Sequence, residues 1–258
     1  MTEATAVLSE EQADSARRDG YLLIKGVKTR EDCGAYIERL DEYDRGARAV
    51  PDGSVIQREP RVERGELDAE GVSDVRKITR VAVGDALFRD LVMTPSVVGT
   101  MQQLMSPNLK LFRADVLMKP PQVGSAKGMH QDSAYWPIEP MDLWSCWMPF
   151  DPATLENGCM VVIPGSHKRG VLPHEAVTDD YVIPEQHYRV EDTITVPMDP
   201  GDGLFFHSLL LHGTAENTSS MPRRAITISY MAAEYRYTGD PPKPDYLRIV
   251  GGDVPGGV

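Results

Sequence analysis

The chain predicts a mainly β fold, a sandwich or barrel with helices placed before it. From Leu109 onward the apolar runs are short and separated by Pro and Gly turns: Leu109 to Met118, Leu143 to Met148, Cys159 to Ile163, Thr193 to Val196, Gly203 to His207 and Ala225 to Ala233. Runs of strand length with turn signals between them are what a sandwich or barrel requires. Before Leu109 the texture differs, with cap residues followed by apolar positions at helical spacing. The length, 258 residues, suffices for a sizeable core.

Taken in order, Ser9 followed by Glu10, Glu11 and Gln12 reads as an N-cap with an acidic first turn, and the helix it starts should stop near Gly20, after Arg17 and Arg18. Tyr21 to Ile24, closed by Gly26, reads as a strand. Thr29 with Asp32 three positions on forms a capping box, and Cys33, Tyr36, Ile37, Leu40 and Tyr43 lie on one side of the helix that follows. Gly46 to Asp74 is polar and without a sustained period, so it is expected as a long surface segment, either a cover for the site or a solvated insertion. Val75 to Val83 reads as a strand carrying Lys77, and Asp85 to Met93 and Pro95 to Met105 as two short helices.

Composition narrows the function. The formal charge is -12, from 39 acidic and 27 basic residues, which argues against nucleic-acid and anionic-membrane partners and slightly favours a cationic ligand. Cys33, Cys146 and Cys159 are odd in number and match no zinc spacing, so they are read as buried small hydrophobes. Met1 to Gln12 lacks the charged and apolar regions of a leader, no run approaches a membrane span, and Gly251 to Val258 carries no organelle address. A cytoplasmic protein is expected.

The chemistry centres on His130-Gln131-Asp132. In extended backbone, residues i and i+2 point the same way, so the imidazole and the carboxylate converge while Gln131 faces elsewhere. Alone, the triplet is unspecific. Downstream, Gly201 to Phe206 leads into His207 and His212, and Arg223-Arg224 opens an apolar run. A second imidazole from this stretch would complete two His and one carboxylate, which leave open positions on an iron for a chelating cosubstrate and oxygen. An Arg eleven residues after His212 could hold that cosubstrate's far carboxylate. Neighbours on a strand face opposite sides, so only one of Arg223 and Arg224 can enter the barrel.

His130, Asp132, His212 and Arg223, with Asn157-Gly158-Cys159 to Lys168, its turn Val162-Ile163-Pro164-Gly165-Ser166-His167-Lys168, and Lys119-Pro120-Pro121, resemble the phytanoyl-CoA dioxygenase family. The resemblance runs from about Tyr21 to Tyr235. It implies a double-stranded β-helix (jelly-roll) core over about 109–235, a helical part over about 9–105, and one oxygenase domain over 1–258. It implies Fe(II) held by His130, Asp132 and His212, with 2-oxoglutarate and O2 as cosubstrates. Arg223 would pair with the distal carboxylate of 2-oxoglutarate, Thr214 would stand where the family usually has a Ser, Trp147 would lie beside the cosubstrate, and Lys77 would align with a family Lys that can contact it. Family spacing selects His212 over His207 and Arg223 over Arg224. The spacing of Trp147 from His130 is one residue shorter than in the phytanoyl enzyme.

Other residues have plainer expectations. His167 is read as fixing a loop next to the site, His174 and His187 as solvated or substrate-facing, and most of Tyr135, Trp136, Trp144 and Trp147 as barrel core. The resemblance further implies that Asp132 favours hydroxylation or another oxidation over halogenation, because halogenases of this kind carry a small residue there. A free small molecule in natural-product biosynthesis is the expected substrate. An acyl-CoA or lipid substrate is the alternative, and a cupin-like metal binder without turnover the remoter one. Neither substrate identity nor oligomeric state is written in the sequence.

Overall fold

In the computed structural model, residues 8–69 and 71–258 are described. The leader region considered above therefore lies partly, over residues 1–7, outside them.

Ser9 caps α1 (Glu10–Asp19) through a reciprocal box with Gln12, and Gly20 ends it in the left-handed conformation, φ 80°. β1 (Tyr21–Ile24) follows, and Thr29 and Asp32 close the second capping box at the start of α2 (Arg30–Asp44). The segment after it is not wholly superficial as expected. It forms β2 (Ile56–Arg58) and a single turn α3 (Pro60–Glu63), and Glu59 between them is fully buried. The Glu59 carboxylate accepts hydrogen bonds from the Ser125 amide and hydroxyl, at 3.2 and 2.7 Å, so a polar residue here is an internal tie. β3 (Val75–Ile78) is shorter than the strand expected to reach Val83. Arg80 turns the chain at φ 55°, its amide donating to the Asp115 carboxylate at 2.9 Å, and Val81–Gly84 winds into α4. α5 (Ala86–Val92) and α6 (Pro95–Leu104) complete the helices.

The β strands from here on are β4 (Leu109–Lys119), β5 (Lys127–His130), β6 (Ile138–Glu139), β7 (Trp144–Pro149), β8 (Met160–Val162), β9 (Glu175–Val177), β10 (Asp180–Val182), β11 (Ile194–Val196), β12 (Gly203–His207), β13 (His212–Thr214), β14 (Arg223–Ala232), β15 (Arg236–Tyr237) and β16 (Arg248–Val250). The major antiparallel sheet runs β1-β12-β7-β14-β4-β3-β2, with β16 added to β4, and the minor one runs β11-β8-β13-β5. β9 and β10 form a separate hairpin, and β6 and β15, distant in the chain, a separate antiparallel pair. This is the mainly β architecture with flanking helices that the sequence predicts.

Alternation along the major sheet explains what each face does. On β14, Ile226, Ile228 and Tyr230 join the core that also holds Tyr36 and Leu40 of α2 and Phe88 of α5, so the helices cover that face. Ala225 on the other face packs with Trp147 of β7 and Phe206 of β12 against Met160 and Val162 of the minor sheet. On this inner side Arg223, Thr227 and Ser229 also lie buried. Polar side chains held between two sheets need partners, and that requirement locates the site.

Candidate metal and cosubstrate site

β13 lies beside β5 in the minor sheet with His212 directly opposite His130, their ring centroids 4.2 Å apart. Gly213 permits the approach, since a Cβ there would stand 2.8 Å from the Lys127 carbonyl oxygen. Each imidazole Nδ1 lies 2.9 Å from a backbone carbonyl two residues earlier, Gly128 for His130 and Leu210 for His212. Nδ1 therefore carries the proton and Nε2 keeps a lone pair for a metal. Burial pushes both imidazoles below the ordinary histidine pKa, for His130 with His212 adding to the effect and for His212 with Asp132 opposing it. Both are neutral near pH 7, the ligating form. Asp132 Oδ1 stands 3.7 Å from His130 Nε2, and one donor atom from each of the three residues lies within 4.8 Å of the others.

Gln131 does face elsewhere. Its backbone is extended, its amide nitrogen donates to the Gly170 and Leu209 carbonyls at 2.8 Å each, and its amide oxygen accepts from the Leu172 N–H at 2.8 Å. The residue between the two candidate ligands thus anchors their backbone to two loops.

A cavity of about 370 Å³ opens from the triad, and Arg223, Thr214, Trp147 and Lys77 all line it. Arg223 is 2% exposed; Nη1 donates to the Leu117 carbonyl at 3.0 Å, the guanidinium carbon lies 5.4 Å from the centre of the Trp147 ring, and Nε is buried without a partner. Burial lowers its pKa to about 10, which leaves it cationic at neutral pH. Two neutral imidazoles and a carboxylate, facing a cavity whose wall holds a buried, under-satisfied guanidinium, fit ferrous iron with a chelating dicarboxylate.

Comparison with known proteins agrees. The model of the phytanoyl-CoA dioxygenase family matches residues 16–225. A probable phytanoyl-CoA dioxygenase of Caenorhabditis elegans is 30% identical over 242 residues, covering 89% of this chain and 77% of the relative. The chain belongs to the phytanoyl-CoA dioxygenase family. It is thereby an oxidoreductase of the iron- and 2-oxoglutarate-dependent dioxygenases. The human peroxisomal phytanoyl-CoA dioxygenase is 27% identical over 241 residues, covering 90% of this chain and 70% of that one. Among solved structures, the non-heme alpha ketoglutarate dependent carbocyclase SnoK from nogalamycin biosynthesis superposes with a TM-score of 0.74 at 22% identity, over 95% of this chain and 99% of that one. The epimerase SnoN, in complex with Fe3+, alpha ketoglutarate and nogalamycin RO, gives 0.69 at 22% identity over 94% and 95%. At these identities the structures establish the jelly-roll fold.

Within that family frame the decoys separate. His207 bonds Asp142 through Nε2 at 2.9 Å and stands edge-on to Trp144, apart from the triad. Arg224, on the other face of β14, is held by Asp151 and Asp41. His167 ties its turn to the end of α1, bonding the Arg17 carbonyl at 3.1 Å, and does not line the cavity. His174 is half-buried and does not line the cavity: Nε2 accepts the Gln131 N–H at 3.1 Å, and its ring stacks on Tyr181. Trp136 and Trp144 are buried, whereas Tyr135 is 40% exposed and lines the cavity. The three cysteines are free and buried.

Lys77 lines the cavity with its ammonium 3.0 Å from Asp115. Sequence reasoning passed over Arg113, Asp115 and Lys119 of β4, although they alternate with Ala114, Val116 and Met118, the pattern of a polar inner face. Lys119 is buried, donates to the Ser125 carbonyl, and has its pKa pushed down by burial and by Arg223. The cavity wall, with Arg76, Lys77, Arg113, Lys119, Lys127 and Arg223 against Asp132, Asp179 and Asp180, is thus opposite in sign to the molecule and suits an anion.

Proposed function

We propose that His130, Asp132 and His212 hold Fe(II), that Arg223 and Thr214 hold the far carboxylate of 2-oxoglutarate with Trp147 beside it, and that the chain, 1–258, works as one oxygenase domain. The observation that carries this reading is the convergence of the His-Asp-His donor set and the unpartnered face of Arg223 on one cavity. When bound, the iron would supply dioxygen activation, one oxygen atom going to the substrate and the other to 2-oxoglutarate, which leaves as succinate and carbon dioxide. The protein's own part is positional. The Gly128 and Leu210 carbonyls fix the imidazole tautomers, Gln131 fixes the backbone, and Arg223 sets the reach that selects a five-carbon diacid. Lys77, paired with Asp115 on the wall of the same cavity, can contact the cosubstrate.

The substrate is a free small molecule oxidised in natural-product biosynthesis. Its support is that two of the cations near the cavity mouth are already engaged, Lys127 by Asp180 and Arg64 by Asp179, which leaves fewer for the phosphates of a coenzyme. The names of the curated relatives favour the second reading, an acyl-CoA substrate. Anaerobic titration of the protein with Fe(II) and then 2-oxoglutarate tests the site: a visible charge-transfer band is expected, absent in His212→Ala. Succinate release with an acyl-CoA and with its free acid then separates the substrate classes. An iron-loaded wild type that gives no band and consumes no 2-oxoglutarate would return the chain to the non-catalytic metal binders.

A further inference from the structure

Beside the first cavity lies a second, of about 500 Å³, and the two share Arg113 and Tyr135, with Asp115 on the second cavity's side. Its wall is aromatic: the Phe112 ring lies 4.6 Å from that of Trp136 and 6.0 Å from that of Tyr246, centroid to centroid. Arg113 stands at the junction. Its guanidinium carbon is 4.7 Å from the centre of the Trp136 ring, and its Nε is buried without a partner. Nη2 lies 3.5 Å from Asp132 Oδ1 and Nη1 3.8 Å from Asp115 Oδ2, close enough for charge pairing, with neither contact aligned as a hydrogen bond.

Both carboxylates have other duties. Asp115 is engaged by Lys77 and by the Arg80 amide, and Asp132 belongs to the donor set. A guanidinium has five N–H donors, and drawing it out of water is costly unless acceptors replace the lost hydration. The Arg113 side chain keeps 29% of its surface exposed, so water serves its outer N–H groups, and the buried Nε is the donor left for a ligand that enters the junction. Stacked on Trp136, the planar fork is preorganised for an oxyanion.

We propose that the second cavity binds the substrate to be oxidised, and that this substrate is an organic acid. Its flat apolar body lies among Phe112, Trp136 and Tyr246, and its carboxylate or comparable oxyanion is held by Arg113. The inference rests on the oxygenase reading for the meaning of the junction, because Arg113 brings the carbon next to the acid group beside Asp132. It names a substrate class that the acidity of the whole chain would not suggest.

The test uses the full chain, anaerobic, loaded with Fe(II) and 2-oxoglutarate, and titrated calorimetrically with 1-naphthylacetate, its methyl ester and 1-naphthylmethylamine. The acid is expected to bind at least tenfold more tightly than the ester or the amine, and Arg113→Gln is expected to erase that preference. Val55→Trp alters an exposed residue of the second cavity's wall, so it keeps the fold, and it should weaken the acid about tenfold. Equal binding of the three probes, or none, overturns the proposal. So does an Arg113→Gln protein that loses 2-oxoglutarate affinity in place of naphthylacetate, since Arg113 would then serve the cosubstrate. The charge-transfer band in the same samples keeps the two readings apart: acid-selective binding without a band sinks the oxygenase assignment alone, and a band without acid selectivity sinks this one alone.

Discussion

Arg223 and Arg224 are adjacent in sequence and opposite in environment. Strand alternation sends Arg223 into the cavity with an unsatisfied Nε, while Arg224 meets two carboxylates on the helix-covered side. The pair therefore makes a reciprocal experiment. Arg223→Ala should raise the KM for 2-oxoglutarate by about tenfold to a hundredfold, the equivalent of a charge-assisted hydrogen bond of about 1.5–3 kcal/mol, with little change in iron affinity. Arg224→Ala should leave that KM alone and cost about 2–4 kcal/mol of stability, because Asp151 and Asp41 lose their common partner. Steady-state kinetics and denaturant unfolding on the same two proteins decide it. The histidines allow the same contrast. Iron content should fall to background in His212→Ala and persist in His207→Ala, which gives up its bonds to Asp142 and to the Leu209 amide, about 1 kcal/mol each. Why His212 and not His207 was legible only through the family spacing, since both lie in apolar surroundings and the residues alone left the choice open.

At the scale of elements, what could be read was what is decided locally. The capping boxes at Ser9 and Thr29 satisfy orphan amides within four residues, and both helices begin where those boxes place them. β5 and β13, which carry His130 and His212, were not legible as strands. They are four and three residues long, and their pairing partners lie far away in the chain, so no local period marks them. Glu59 was misread with its segment for the same reason, since its partner Ser125 is 66 positions distant. Gln131 shows how the β5 end is held in spite of its shortness. Gln131→Leu would leave the Leu172 amide and the Gly170 and Leu209 carbonyls without their partner in half-buried positions. We expect a loss of about 2–5 kcal/mol on denaturant unfolding and an iron affinity lower by about tenfold to a hundredfold. Unchanged iron binding in a destabilised Gln131→Leu protein would show that Asp132 holds its place without this anchor.

At the scale of the whole molecule, buried carboxylates tie α2 to α5 and hold the turn before β12, alongside the apolar packing, and that sets a pH dependence. Asp85, 5% exposed, caps α5 through the Leu87 amide at 2.9 Å and also accepts from Arg39 and Tyr43 of α2. Burial by itself would raise its pKa, but the hydrogen bonds from Tyr43, Arg39 and Leu87 outweigh it and the net shift is downward. Asp202, in the turn before β12, follows the same logic: burial raises, while Lys25 and the Gly26 and Asp199 amides lower it further. A carboxyl whose folded pKa lies below its unfolded value stabilises the fold fully above the unfolded value, about 3.9 for an Asp. That contribution is lost as pH falls through the folded pKa. Unfolding midpoints in urea should accordingly fall in two stages, first below about pH 6.5, where the unfolded chain protonates His130 and His212, which the fold holds neutral, and again below about pH 4 as these carboxyls protonate. Asp85→Asn should cost about 1–3 kcal/mol at pH 7 and flatten part of the acid limb, because Asn retains the cap but not the charge. The helices would loosen from the sheet first, exposing the outer face of β14 that Tyr36 and Phe88 cover, while the inner face stays closed by the minor sheet. Hydrogen exchange at pH 3 checks that order: amides of α2 and α5 should exchange faster than those of β7 and β14, and equal rates would mean that helices and barrel unfold as one unit.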